Sequence, residues 1–492
     1  MTAIDVRASA LTDADATLRP GTGDPDVTGL ATDSRAVRPG MLFAALSGTR
    51  TDGARFVADA VRLGARVILG PPGIAAPDGV AVIEATNPRR ALALAAARFF
   101  TAQPETIAAV TGTSGKTSVA AFARQLWTIL GRSAASLGTL GIVAPHMVRS
   151  GALTTPDPVA LHQDLAELAG AGVTHVAMEA SSHGLDQFRL DGVRLKAAAF
   201  TNLSRDHLDY HPTMVAYLAA KQRLFTELLP AGGTAVLNAD APEFETLAAA
   251  ARARGQRIIG FGRAGREIRL VEQTLDEDGQ SLSIEAFGRR SELRLPLAGA
   301  FQAMNALAAL GLVVGSGTEA PWAVQALAKL EVVPGRLQRV ARRSNGAAIY
   351  VDYAHKPDAL ETVLRALRPH TARELVVVFG CGGDRDSGKR PLMGEIAARL
   401  ADRVFVTDDN PRSEEPAAIR SQILRACPGA TEVASRREAI FLATAGLQAG
   451  DVLVVAGKGH ERGQIVGNIV HPFDDIEVAR AAQRTADERV AS

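Results

Sequence analysis

The segment that most narrows the possible folds runs from Thr106 to Leu130. Thr106-Ile-Ala-Ala-Val110 reads as a short buried strand, Gly112-Thr-Ser-Gly-Lys-Thr117 as a small-residue loop, and Ser118 to Leu130 as a helix. Strand, glycine loop and helix in that order form the βα unit of nucleotide-binding sheets. Backbone N–H groups in such a loop, with a helix N-terminus behind them, make a phosphate cradle. Gly112, Thr113, Ser114, Gly115, Lys116, Thr117 and Ser118 are therefore expected to contact the phosphates of a nucleotide. Lys116 would neutralise the β- and γ-phosphates, and the Thr117 hydroxyl would hold Mg²⁺. The strict P-loop has four residues between its glycines; this loop has two, with Val110 in the first glycine's place. An ordinary glycine-rich βα turn is the plainer alternative.

The remainder continues this rhythm. With 492 residues the chain is long enough for about three domains. Met41–Leu46, Arg66–Leu69 and Val80–Ile83 read as strands and Asp52–Leu63 as a helix, in a small α/β domain over residues 1–103. Gln103-Pro104 is the joint, since proline disfavours helix at the residue before it. Strands at 175–178, 197–200 and 234–237 complete a central P-loop-type ATPase with a mostly parallel sheet over residues 104–332. It carries a local antiparallel elaboration at 262–297 and a helix at 299–312. Residues 333–492 repeat apolar strands at 347–351, 375–379, 403–406 and 452–455, as in a C-terminal Rossmann-like α/β domain. The fold class is thus α/β in three domains, with chemistry expected in the loops at the strands' carboxyl ends.

Composition excludes several partners. Lys+Arg 54 against Asp+Glu 53 leaves +1, which gives no support for nucleic acid or an anionic membrane. No apolar run approaches the roughly eighteen residues of a membrane span, and the N-terminus lacks a secretory pattern. Two cysteines, Cys381 and Cys427, cannot make a disulfide framework. A soluble, monomeric, cytoplasmic protein is expected. Lysine is scarce: Lys116, Lys196, Lys221, Lys329, Lys356, Lys389 and Lys458 are the only seven, so each is less readily dismissed as surface decoration.

Metal ligands near the loop should be hard oxygens or imidazole. One strand end, Met178-Glu-Ala-Ser-Ser-His183, offers Glu179; another, Thr201-Asn-Leu-Ser-Arg-Asp-His-Leu-Asp209, offers Asn202, Asp206 and His207. Singly each could be a cap or a solvated loop residue. Three strand ends meeting at one sheet edge, one of them a phosphate loop, favour a shared Mg²⁺ site.

Together with Asp352-Tyr-Ala-His-Lys-Pro-Asp358, these motifs resemble the Mur ligases, the ATP-dependent amino-acid-adding enzymes of peptidoglycan synthesis, along essentially the whole chain. Within that family Asp409-Asn-Pro-Arg412, Gly380–Asp386 and Gly457-Lys-Gly-His-Glu461 resemble the members that add the third stem-peptide residue. Asp-Asn-Pro-Arg is the form of those using meso-2,6-diaminopimelate. The resemblance implies that a glutamate carboxylate of UDP-N-acetylmuramoyl-L-alanyl-D-glutamate attacks the γ-phosphate of ATP, and that the incoming amine then displaces phosphate from the acyl phosphate. It further implies catalytic roles for Lys116, Lys221 and His207. Two Mg²⁺ would be held by Thr117, Glu179, His207 and Lys221, the last as its carbamate (N6-carboxylysine). Spacing alone makes Lys221, in Ala216–Phe225, a surface helix lysine. Asn305, Arg336 and Asp352 are implied nucleotide contacts. Ser34, Thr49, Arg50, Thr51, Thr154, Thr155, Ser181, Gln187 and Arg189 are implied contacts of the UDP-muramoyl dipeptide, with Leu153 where an asparagine is common. Arg385, Asp409, Asn410, Pro411, Arg412, Gly457 and Glu461 are the implied diaminopimelate pocket. Arg412 suits the distal carboxylate of diaminopimelate, which lysine lacks. Its alternative is an ion pair at a helix start, with Pro411 and Glu414-Glu415 as the first turn.

Rival functions are a lysine-adding relative, a folylpolyglutamate synthase-like ligase, and a P-loop ATPase switch. Residues 1–103 speak against the second, and the glycine-, acid- and arginine-rich loops of the third domain against the last.

Overall fold

The computed structural model of the chain describes residues 5–48, 51–151, 153–276 and 279–491. Packing gathers the chain into two compact units, Met1–Ile268 with Ala308–Ala323, and Arg269–Leu307 with Val324–Ser492.

The first unit begins with a sheet in the order Ala16–Leu18, Ala81–Ala85, Val67–Gly70, Leu42–Ala44, Leu30–Ala31, parallel except for its first pair. Helix Pro88–Phe99 covers one face, with Leu92, Ala95, Ala96 and Phe99 in one core with Val67, Leu69 and Ile83. Asn87 caps that helix by accepting from Arg90 N–H, and proline takes the first helical position. The single helix expected over 52–63 is instead a 3₁₀ turn, Gly53–Phe56, running into Val57–Arg62, because Asp52 caps a tight turn at Ala54.

Next come strands in the order Met147–Arg149, Gly141–Ala144, Ala134–Gly138, His175–Glu179, Thr106–Thr111, Leu195–Phe200, Thr234–Asn238, Arg257–Gly262. The last six are mutually parallel. Thr106–Thr111 lies between two parallel neighbours and is buried throughout, which explains its unbroken apolar reading. Parallel pairing brings the carboxyl ends at Thr111, Glu179, Phe200 and Asn238 to one edge.

The second unit has a sheet in the order Gln338–Arg342, Ala348–Asp352, Val452–Ala456, Leu375–Phe379, Arg403–Val406, Thr431–Glu432, parallel beyond its first pair. Side chains alternate between two cores. Val377 and Phe379 join helices Pro357–Leu367, Lys389–Leu400 and Pro416–Leu424; Val376 and Val378 join Arg436–Ala445 and Asp475–Ala491. Gly279–Ala286 pairs antiparallel with Arg289–Leu295, as the alternating pattern predicts. No helix among the described residues is long and apolar enough to cross a membrane.

Candidate active site

In the first unit, the central strand feeds a loop whose shape depends on two glycines. Gly115 caps helix Lys116–Ile129 at φ +89°, and Gly112 sits at φ +145°. A Cβ on Gly112 would lie 1.9 Å from Thr201 Oγ1, so only glycine lets the loop meet the neighbouring strand end. That strand end braces the loop. Thr113 N–H donates to Asn202 O at 2.9 Å, Ser114 N–H to Asn202 Oδ1 at 3.0 Å, and Thr201 Oγ1 to Ser114 O at 2.7 Å. Asn202 thus supports the cradle. Lys116 Nζ folds back onto Gly112 O and Thr113 O, both at 2.9 Å. Thr117 and Ser118 are buried in the helix's first turn.

Lys221 is not a surface lysine: it is 1% exposed. Helix Met214–Arg223 brings its Nζ to Gly112 O at 2.8 Å, the same carbonyl that Lys116 uses. Its Nζ stands 4.3 Å from the ring centroid of Tyr217, whose hydroxyl is 3.2 Å from Thr113 Oγ1. The sequence reading did not single out Tyr217; its i−4 spacing from Lys221 on one helix was the available signal. His207, at φ +53°, has Nε2 3.4 Å from Asp206 and packs its ring against His183 at 4.8 Å. Burial holds His183 and His211 below the ordinary histidine range.

Glu179 is buried and accepts from Thr139 N–H at 2.7 Å and Thr139 Oγ1 at 3.3 Å. Gly138 leaves room for it, since a Cβ there would meet Glu179 Oε1 at 2.2 Å. From Glu179 a network joins the predicted substrate residues. Thr154 Oγ1 lies 3.1 Å from Thr139 Oγ1; Thr155 Oγ1 donates to Glu179 O and accepts from Ser181 N–H; Arg189 donates to Thr155 O and to Gln187 Oε1. Gln187 and Arg189 then line an open cleft with Thr32, Leu46, Arg89 and Asp157. Arg89, anchored on Ser47 O at 2.6 Å, was missed in the sequence because arginines in a helix's first turn carry no functional pattern. Ser34 begins a 3₁₀ turn two residues beyond Thr32, and Thr51 is exposed. Thr49 and Arg50 lie outside the described residues. Leu153 is half exposed beside Gly138 and Ile142 and adds no polar group.

In the second unit Asn305 is buried and donates to Gln302 Oε1 at 2.9 Å. Asp352 ends its strand, accepting from Leu337 N–H at 2.6 Å and Ala354 N–H at 2.8 Å. Burial pushes its carboxyl up to about 6 against the pull of Arg336, whose guanidinium stacks 4.7 Å from the Tyr353 ring. Burial and then Lys356 hold neighbouring His355 down at about 4.

Also in the second unit, the predicted pocket residues from 409 to 461 meet. Asn410 Nδ2 donates to Glu461 Oε2 at 3.1 Å, and Gly457, at φ +121°, leaves space for Asp409, whose Oδ2 would be 2.7 Å from a Cβ there. Pro411 is buried. Arg412 is not in a helix. It adopts φ +52°, forms a bridge with Val466, and aims Nη1 at Gly383 O at 2.8 Å. The helix starts only at Pro416. Glu414 pairs instead with Arg390, so the helix-start ion pair considered for Arg412 does not form. The rest of the Arg412 fork has no bonded partner among the described residues. Arg385 is exposed.

The first unit thus carries a glycine loop at a parallel sheet edge with a buried acid and a buried lysine near it, and the second unit a separate group of two acids, an amide and an arginine, an arrangement in keeping with a nucleotide-dependent ligase. Residues 26–100 match the catalytic domain of the Mur ligase family, 110–313 the Mur ligase middle domain, and 335–459 the Mur ligase glutamate ligase domain. The UDP-N-acetylmuramoyl-L-alanyl-D-glutamate--2,6-diaminopimelate ligase of Bradyrhizobium diazoefficiens is 58% identical over 474 residues, 95% of this chain and 97% of its own. The enzyme of that description from Caulobacter vibrioides is 55% identical over 464 residues, 93% of this chain and 96% of its own. A solved structure of a protein so described has a TM-score of 0.70 at 32% identity, covering 95% of this chain and 96% of its own. The chain belongs to the Mur ligase family. It is an ATP-dependent amide ligase.

Proposed function

We propose that the chain adds meso-2,6-diaminopimelate to UDP-N-acetylmuramoyl-L-alanyl-D-glutamate, forming ADP and phosphate through an acyl phosphate, in the cytoplasm. The observation that carries this reading is Arg412. Its Nη1 is tethered to a backbone carbonyl, and the remaining edge of its fork is left to grip a carboxylate bidentately. Asp409, Asn410 and Glu461 alongside suit the distal ammonium. Lysine has the ammonium but not the carboxylate, and would leave the arginine unpaired. Two buried free thiols, Cys381 and Cys427, support a reducing compartment.

ATP would rest its phosphates on the N–H groups of residues 113–117, with Lys116 swinging from Gly112 O to the β/γ-phosphates. The glutamyl end of the substrate would lie along the net from Thr154 to Arg189, which ends at Glu179. There its carboxylate oxygen attacks the γ-phosphorus as ADP leaves. The amine of diaminopimelate then attacks the acyl carbon and phosphate departs. Positioning and charge neutralisation account for most of such a reaction.

Residues present fit Mg²⁺: Thr117 hydroxyl, the buried Glu179 carboxylate and His207 are hard or borderline donors. No group of three or more His, Cys, Asp or Glu among the described residues could hold a metal alone, so phosphate oxygens would complete the sphere. Bound Mg²⁺, two ions by family likeness, would neutralise charge developing on the transferred phosphoryl group. Carbamylation of Lys221 fits its surroundings, because two amino groups otherwise converge on Gly112 O. A carbamate would turn that crowding into attraction and add a metal-binding anion. We further propose the three-domain division 1–103, 104–332 and 333–492, supported by one family match falling within each.

The test is ADP release with UDP-N-acetylmuramoyl-L-alanyl-D-glutamate, comparing meso-diaminopimelate with L-lysine. Strong preference for diaminopimelate is expected; equal rates would remove the Arg412 argument. Oxygen label in the substrate carboxylate should appear in released phosphate.

A further inference from the structure

Resting on the reading of the 409–461 loops as the amino-acid pocket, we propose that Lys458 is a positioning residue for amino-acid selection. Its ammonium fixes the orientation of the Asn410 amide and latches strand Gly463–Val466 to the Asp409–Arg412 segment. Lys458 has no exposed surface, an unusual setting for a strongly hydrated ammonium. Its Nζ donates to Asn410 Oδ1 at 2.7 Å and to Gly463 O at 2.7 Å, and lies 3.7 Å from Glu461 and 4.0 Å from Asp409. Burial pulls its proton affinity down, while Asp409 acts in the opposite direction.

The consequence for Asn410 is geometric. Its Oδ1 also accepts from Ile465 N–H at 3.0 Å. Two donors, Lys458 Nζ and Ile465 N–H, converge on one terminal atom, and only the oxygen can occupy that place. The amide nitrogen must then face Glu461, leaving its second N–H for a ligand. The same latch reaches Arg412, because Arg412 N–H donates to Ile465 O at 3.1 Å and Gly467 N–H donates to Arg412 O at 2.7 Å. One buried ammonium therefore orients the amide, offsets the charge of two acids, and secures the strand that holds Arg412 at its positive φ. The Gly-Lys-Gly setting suits a residue whose backbone approaches closely: Gly457 clears Asp409, and Gly459 clears Tyr353.

The test uses the full-length enzyme and steady-state ADP release. Lys458→Met should raise the KM for diaminopimelate by roughly ten- to a hundred-fold, as expected when a buried polar cluster loses its partner. The KM for ATP should stay within about two-fold, and discrimination against lysine should fall. Asn410→Ala combined with Lys458→Met should be no worse than the more damaging single variant, because both act through one amide. Should Lys458→Met fail to fold, Lys458→Gln, which retains an N–H donor, takes its place in the same cycle. An unchanged diaminopimelate KM, equal damage to the ATP KM, or fully additive effects would overturn the proposal. If the wild-type enzyme itself shows no preference for diaminopimelate, it is the proposed substrate that fails. The Lys458–Asn410 coupling is then read on whichever amino acid is used.

Discussion

Between Gly112 and Thr117 the groups offered to a ligand are mostly main-chain N–H donors, shaped by two glycines at positive φ and braced by Thr201 and Asn202. Between Asp409 and Glu461 they are side chains, ordered by the buried Lys458 ammonium, while Arg436 donates to the Ala456 carbonyl and pairs bidentately with Asp475, both side chains fully buried. A main-chain cradle accepts any phosphate of the right shape and does not titrate. A cluster of acids and bases discriminates between similar zwitterions, but each buried charge must be matched. On the proposed reading, the invariant part of the reaction uses backbone and the selective part uses side chains.

The largest effect expected is at Lys116, the side chain proposed to meet the phosphates. Lys116→Met should lower kcat/KM for ATP by about 10³-fold, the scale of losing a charge aimed at a transferring phosphoryl group. The KM for the amino acid should change little. ADP release at varied ATP and varied diaminopimelate measures both. Parallel loss of amino-acid affinity would break this division of labour between the two regions.

The pH dependence sharpens the contrast from the second unit. His355 is held at about 4, against 6.5 for the unfolded chain. The unfolded state therefore takes up the proton first as pH falls, so this contribution is intact above about 6.5 and is lost as pH drops toward 4. Asp352 runs the other way. Raised from 3.8 to about 6, it takes its proton first in the folded state, so acidification across that window stabilises. The two nearly cancel. Removing one exposes the other: between pH 7 and pH 4, His355→Gln should gain about 3 kcal/mol of stability relative to the parent. Urea unfolding at the two pH values measures it, and an unchanged difference would contradict the buried neutral imidazole.

What could be read in advance follows the same line. The six consecutive residues Gly112 to Thr117 span a four-residue loop and the start of the helix behind it, so the phosphate-binding expectation is visible locally. The sheets were legible too, because buried parallel strands write continuous apolar runs, such as Leu375–Phe379. Lys221 was opaque from spacing, since nothing in Ala216–Phe225 announces that its lysine points inward toward residue 112. Lys458 was hidden for another reason. Its partners lie at 409–410 and 461–463, and only the folded sheet brings the distant pair beside it. Arg412 was ambiguous because Pro411 and Glu414-Glu415 imitate a helix start. Its positive φ depends on the bridge to Val466, which no local pattern encodes.

That same bridge sets the last prediction, the smallest in energy and the most specific. With its main chain pinned by Ile465 and Gly467 and Nη1 tied to Gly383 O, Arg412 presents a fork already oriented before ligand arrives. Arg412→Ala removes the fork while the backbone hydrogen bonds that hold the segment persist. Turnover with diaminopimelate should fall by about a hundred-fold, turnover with lysine should change little, and ATP affinity should be unaltered. Competition between the two amino acids in one assay reads the ratio directly. A variant that still prefers diaminopimelate by a wide margin would move selection to Asp409, Asn410 and Glu461, and with it the weight of the argument from a carboxylate to an ammonium.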